Sequence, residues 1–217
     1  MVSQIASELA DYLLAGDQQA AIQCIQQNED MTNLMIFHQL ITPAMQYIGE
    51  LWEKNEITVA DEHLATATCD FVFSRLFSWQ GDQSANGKKA ILLCLEGEQH
   101  YLGLKMVSSL FVEHGWNVRF FGPNLPLEYA LETAEKWKPD VIGLSVSIVY
   151  HLPHLKHYVK HLSSLSNRPV IMLGGRLAAT HDLRPYCDGN TMILKDLLMA
   201  NHWLSSEVLE EKTNATL

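Results

Sequence analysis

Basic residues are scarce in the first 82 positions. Lys54 and Arg75 stand there against twelve acidic side chains, while the rest of the chain holds thirteen of each sign, so the net charge of −10 is concentrated in the first part. Such a surface repels a phosphate backbone, which argues against direct binding of DNA or RNA. A solvated acidic face is the ordinary reading of the imbalance, and a basic protein partner is the functional one. Cysteine is also sparse. Cys24, Cys69, Cys94 and Cys187 lie far apart with no C-x-x-C pair, so reduced thiols in a cytoplasmic setting are expected, not a disulfide frame or zinc cluster. No apolar run has the length of a membrane span, and the opening "MVSQIASELADYLLAGD" carries acids with no basic n-region. Neither an anchor nor a signal peptide is expected. The phosphate-cradle patterns G-x-x-x-x-G-K-[ST] and G-x-G-x-x-G are missing, as are internal repeats and low-complexity tracts.

What is present has two rhythms. With 217 residues, 47% hydrophobic and 18% charged, the chain suits one large or two small globular domains. Up to about Gln80 apolar residues recur at helical spacing: "VSQIASELADYLLAG" stopped by Gly16, "DQQAAIQCIQQNED", then runs over 32–54 and 58–80. Pro43 is expected to kink the third run. Thr58 with Asp61 resembles a capping box opening the fourth. This spacing predicts a four-helix bundle over 1–80. "GDQSANGKK" then reads as a linker over 81–88. Beyond it, "AILLCLE", "WNVRFFG", "DVIGLSVS" and "RPVIMLGG" are strand-like runs separated by helical stretches. The alternation predicts an α/β fold, a Rossmann-like (flavodoxin-like) doubly wound parallel sheet over 89–211. "YCDGN" is a weak fifth strand, Met192 to Glu211 a closing helix, and 212–217 a disordered tail.

In such a sheet, ligands gather beyond the carboxyl ends of the strands, near the point where strand order reverses. His100 follows the first strand on that edge, Ser145 and Ser147 end the third, and Gly174-Gly175 end the fourth. An imidazole suits a transition metal, and its second nitrogen needs an acceptor, for which Glu98 is placed. Glycines at 97, 103, 174 and 175 remove side chains and let a bulky group approach the backbone.

The run "EGEQHYLG", then "GLSVS", then "MLGGR" resembles the cobalamin-binding Rossmann-like domain, whose pattern is D-x-H-x-x-G, S-x-L and G-G. The gaps of 41 residues between Gly103 and Ser145 and of 26 between Ser147 and Gly174 agree with that family, and "FFGPNLPLE" matches its G-x-x-x-P-x-E. The resemblance implies that His100 binds cobalt from below in place of the cofactor's own benzimidazole. The displaced tail would run beside Ser145, Gly174 and Gly175, and Gly103 is a further cofactor-binding position. Two departures stand out. Glu98 replaces the family's aspartate, keeping the acceptor on a longer arm, and Ser147 replaces leucine, making the tail pocket more polar.

In "GELWEKNEITVADEHLATA", Trp52 is followed ten residues later by Glu62-His63. On residue type alone, Trp52 is a core anchor and Glu62-His63 a solvated helix start. The pattern is, however, similar to that of adenosylcobalamin-dependent light-sensing transcriptional regulators, which hold their cofactor under a four-helix lid. That likeness implies that Trp52, Glu62 and His63 enclose the upper ligand, with adenosylcobalamin favoured over methylcobalamin. Two differences from those regulators are expected to matter. No helix-turn-helix precedes the lid in this sequence, and Glu53 follows the tryptophan where some of them carry a cobalt-binding histidine, so a different photoproduct is expected. The resemblance implies a non-enzymatic regulator acting through a protein partner such as a transcriptional regulator, and it leaves room for a homo-oligomer. The competing reading is the corrinoid subunit of a methyltransferase. His154, His157 and His161 form a stripe on a further helix and read as a solvated flank in preference to a metal site.

Overall fold

The structure, a computed structural model, describes residues 2–28, 30–77 and 86–214. The chain divides into two compact units, Met1–Ser78 and Trp79–Leu217.

In the first unit, α1 (Gln4–Leu14) opens on Ser3, whose hydroxyl accepts the Ala6 N–H, and buries the stripe Ala6, Leu9, Ala10 and Leu13. Gly16, at φ +70°, turns the chain, and Asp17 caps α2 (Gln18–Gln26) through the Ala20 N–H at 2.9 Å. The third run is one continuous helix in three registers: α3 (Asn33–Ile36), a π segment (Phe37–Ile41) and α4 (Thr42–Glu53). Pro43 has no N–H to offer the preceding turn. The Thr42 N–H instead reaches back five residues to the Phe37 carbonyl, so the wider register stands just ahead of the proline. Helix α5 (Val59–Leu76) begins with the full capping box: Thr58 accepts the Asp61 N–H, and the Asp61 carboxylate accepts the Thr58 N–H at 2.8 Å. Phe37, Phe73 and Phe77 pack with ring centroids 4.8 to 5.1 Å apart at the centre of this unit.

The second unit alternates β1 (Lys89–Leu95), α6 (Leu102–Glu113), β2 (Asn117–Leu125), α7 (Leu127–Trp137), β3 (Val141–Ser145), α8 (Leu152–Leu162), β4 (Val170–Gly174), α9 (Arg176–Thr180), β5 (Thr191–Ile193) and α10 (Leu197–Asn214). The strands pair in parallel in the order β2-β1-β3-β4-β5. This is the flavodoxin-like order, with its switch point between β1 and β3. The inner strands are buried on both faces and read as unbroken apolar runs. Ile91, Leu93, Ile142, Leu144 and Ile171 pack with α7, α8 and α9, while Leu92 and Cys94 face α6 on the other side. Trp116 is buried beside Phe111 and Trp203, which ties α10 to α6.

Three expectations are corrected. "YCDGN" is not a strand: Arg184–Tyr186 is a 3-10 turn, and the fifth strand lies just after it, where Thr191–Ile193 pairs with β4. Met192 therefore belongs to that strand, and the closing helix starts at Leu197. The helix also runs to Asn214, through half of the tail expected to be disordered. Most of the proposed linker and residues 215–217 lie outside the described residues. Among the described residues no helix is long and apolar enough to cross a membrane.

Candidate functional site

Strand β1 ends at Leu95, and the chain turns at once: the Glu98 N–H donates to the Leu95 carbonyl at 2.9 Å, with Gly97 at φ +82° inside the turn. A Cβ at Gly97 would lie 2.9 Å from the ring of His151, so both the backbone angle and the packing require glycine here. The turn drives Glu98 inward to complete burial and leaves the His100 side chain 60% exposed.

The Glu98 carboxylate spans the crevice between β1 and β3. Its Oε1 accepts His100 Nδ1 at 2.5 Å and the His100 backbone N–H at 3.1 Å, while Oε2 accepts the Ser147 N–H at 2.7 Å. Burial by itself would raise this carboxyl. The His100 ring, the two backbone N–H groups and the His100 charge outweigh that and lower it from 4.5 to about 2. In the neutral imidazole, an Nδ1–H that donates to this carboxylate leaves the lone pair on Nε2. The neighbouring Cys94 thiol is pushed up to about 12 by burial, then by the Glu98 charge, against a hydrogen bond from Ser145. It is an inert wall of the site.

Ser145 is buried at the end of β3, in register with Cys94 on one side and Gly174 on the other. The two glycines that follow differ. Gly175, at φ +96°, has no room for a side chain, since a Cβ would stand 2.4 Å from the Val146 carbonyl oxygen. Gly174, like Gly103 in the first turn of α6, has nothing within 4 Å of where a Cβ would be. The protein does not fill the space beside these two residues. Glu98, His100 and Ser147 are thus joined by hydrogen bonds, with Ser145 and Gly174 side by side on the same rim.

Trp52, Glu62 and His63 belong to the helical unit. Trp52 is 48% exposed in the last turn of α4, and Glu62 and His63 lie in the first two turns of α5. Glu62 Oε2 is 3.0 Å from His63 Nδ1, and its Oε1 accepts the Thr66 hydroxyl at 3.0 Å. The histidines of α8 lie opposite its buried face of Leu155, Val159 and Leu162. Among the described residues no group of three or more His, Cys, Asp or Glu could hold a metal ion.

The sequence reading missed Asn124, Tyr158 and His151, which surround the turn before His100. Asn124 Oδ1 accepts the Gly97 N–H at 2.8 Å, and the Tyr158 hydroxyl accepts the Glu96 N–H while donating to the Leu125 carbonyl at 2.6 Å. The one available signal was "FFGPNLPLE", in which Asn124 stands between a proline and a strand end.

Comparison with known proteins decides the family. The B12 binding domain matches residues 88–189, and a second B12 binding domain matches residues 5–76. The chain belongs to the B12-binding family. It is a cobalamin-binding protein. Among its relatives, the HTH-type transcriptional repressor CarH of Myxococcus xanthus is 27% identical over 151 residues, covering 68% of this chain and 49% of the repressor. The chain thus spans about half of that relative's length. Dimethylamine corrinoid protein 1 of Methanosarcina acetivorans is 22% identical over 177 residues, covering 79% of this chain and 83% of the relative. In fold, the chain is similar to the monomethylamine corrinoid protein of Methanosarcina barkeri, with a TM-score of 0.73 and 18% identity over 94% of this chain and 98% of that one.

The residues at the switch point fit a corrinoid: an imidazole oriented by a buried carboxylate, and open space beside Gly103 and Gly174. When bound, cobalamin would supply a cobalt that can take a nitrogen donor and carry an organic group.

Proposed function

We propose that this cobalamin-binding protein is a sensor that holds adenosylcobalamin and reports light or cofactor supply to a protein partner. His100 is the lower axial ligand, held by Glu98. Ser145, Ser147, Gly174 and Gly175 line the channel for the nucleotide tail, with Gly103 beside the ring, and Trp52, Glu62 and His63 enclose the adenosyl group. The single observation that carries the ligand assignment is the short bond between His100 Nδ1 and the buried Glu98 carboxylate, which reserves Nε2 for a metal. The sensor reading is supported by the Trp52 and Glu62-His63 spacing and by the similarity to CarH. The acidic bias of the first 82 residues favours a basic protein partner, such as a transcriptional regulator, over nucleic acid.

A second reading has its own support. Dimethylamine corrinoid protein 1 matches a larger share of both chains than CarH does. On that reading the chain is the non-catalytic methyl carrier of a methyltransferase system, with methylcobalamin as its working form and a methyltransferase as partner.

One experiment separates the two. The purified protein is titrated in the dark with adenosyl- and methylcobalamin, illuminated, and passed again over a sizing column. The sensor reading expects a preference for the adenosyl form that falls about tenfold in Trp52→Ala, and a light-dependent change in mass or partner affinity. Equal affinity for the two forms, no response to light, and methyl transfer with a partner enzyme would select the carrier.

A further inference from the structure

Strand β2 departs from its neighbour as it approaches the site. Lys89 to Leu92 pair with Asn117 to Phe120 one for one, but Leu93 pairs with Gly122 and Leu95 with Leu125. Two extra residues are therefore absorbed at the carboxyl end of this edge strand, as two successive bulges. Bulges of this kind re-aim side chains, and Pro123 is tolerated within them because the strand has a single sheet neighbour. Their product is Asn124, which stands at φ +57° in the left-handed region that asparagine tolerates better than most residues.

In that conformation Asn124 grips the adjacent turn twice. Its Oδ1 accepts the Gly97 N–H at 2.8 Å, and its own N–H donates to the Glu98 carbonyl at 3.1 Å. These bonds bracket the peptide that carries the Glu98 side chain, which in turn holds the imidazole. His151 packs against Gly97, and Tyr158 bridges Glu96 to Leu125, so the turn has no slack on those sides. None of these contacts comes from the first strand or from the histidine segment itself.

We propose that Asn124 is a positioning residue for the axial imidazole. It fixes the turn that aims Glu98, and through Glu98 it aims His100 Nε2 at the cobalt. This rests on the reading of His100 as the cobalt ligand.

The test is a double-mutant cycle read by corrinoid affinity. The probe is cobinamide, which lacks the nucleotide tail and its base, so any nitrogen on the cobalt comes from the protein. Asn124→Gly keeps the left-handed backbone and removes the side-chain acceptor alone. Losing one such hydrogen bond should weaken cobinamide binding about fivefold to tenfold when His100 is present. In a His100→Ala background the same change should cost less than about twofold, because the residue acts only through the imidazole. Asn124→Asp, which keeps both the acceptor and the tolerance for the left-handed region, should restore binding. The melting temperature of the cofactor-free protein should stay within about two degrees throughout, since the turn keeps its other bonds. An equal cost in both backgrounds, no cost in either, or no rescue by aspartate would overturn the proposal. If His100→Ala alone left the affinity and the spectrum of bound cobinamide unchanged, the ligand assignment itself would fail, an outcome visible before Asn124 is touched.

Discussion

At the scale of single residues, Glu98 has the greatest influence. It is buried, charged and shared between the His100 ring and the Ser147 backbone. Its carboxyl is lowered from 4.5 to about 2, so its stabilising contribution is fully present above about pH 4.5 and is lost as the pH falls toward 2. Acid titration of the cofactor-free protein by circular dichroism should therefore show stability declining across that window. Glu98→Gln should flatten the decline and cost roughly 1–3 kcal/mol at neutral pH. An unchanged acid profile would mean that the carboxylate is not held as described. The two terminal glycines make a second contrast. Gly175→Ala forces a Cβ into the Val146 backbone at a positive φ and should lower the melting temperature outright. Gly174→Val meets open space, so it should leave the fold intact and weaken cobalamin binding. Equal losses of stability in both variants would count against a ligand channel. The pair Glu98 and His100 was legible from two-residue spacing after an apolar run. Asn124, Tyr158 and His151 were not, because their partners lie 27 to 62 residues away or depend on how the strands pack.

At the scale of elements, boundaries followed local chemistry wherever that chemistry was strong. The capping box at Thr58 and Asp61 sets the start of α5 where the sequence placed it, because both hydrogen bonds are made within three residues. Thr58→Ala should cost about 1 kcal/mol and lower the unfolding midpoint of the helical unit by about 4–8 °C, measured by calorimetry. No shift would mean that α5 is held by packing alone. Elements that depend on neighbours were harder to read. Strand β5 spans Thr191–Ile193, too short for a period-two signal, and exists because β4 offers it an edge. The bulges of β2 and the π segment before Pro43 are register effects, and residue type gives no count of register. The parallel order of the inner strands, in contrast, follows from unbroken apolar runs separated by amphipathic helices, which few other arrangements can bury.

At the scale of the whole molecule, the chain carries an acidic helical unit and a sheet unit of nearly balanced charge, both of them B12 binding domains. The family was legible because three short motifs kept their order and separation over the sheet unit. The choice between sensor and carrier was not, because the chain is similar both to a transcriptional repressor and to corrinoid proteins. Both readings nevertheless require the same nitrogen on the same metal. The direct test is electron paramagnetic resonance of the paramagnetic Co(II) form of cobalamin, bound to protein grown with ¹⁵N-labelled histidine. Ligation by His100 predicts that each cobalt line splits into a doublet, reverting to a triplet in unlabelled protein and losing the histidine splitting in His100→Ala. A triplet that ignores the label would place the cofactor's own base on the metal and contradict the account.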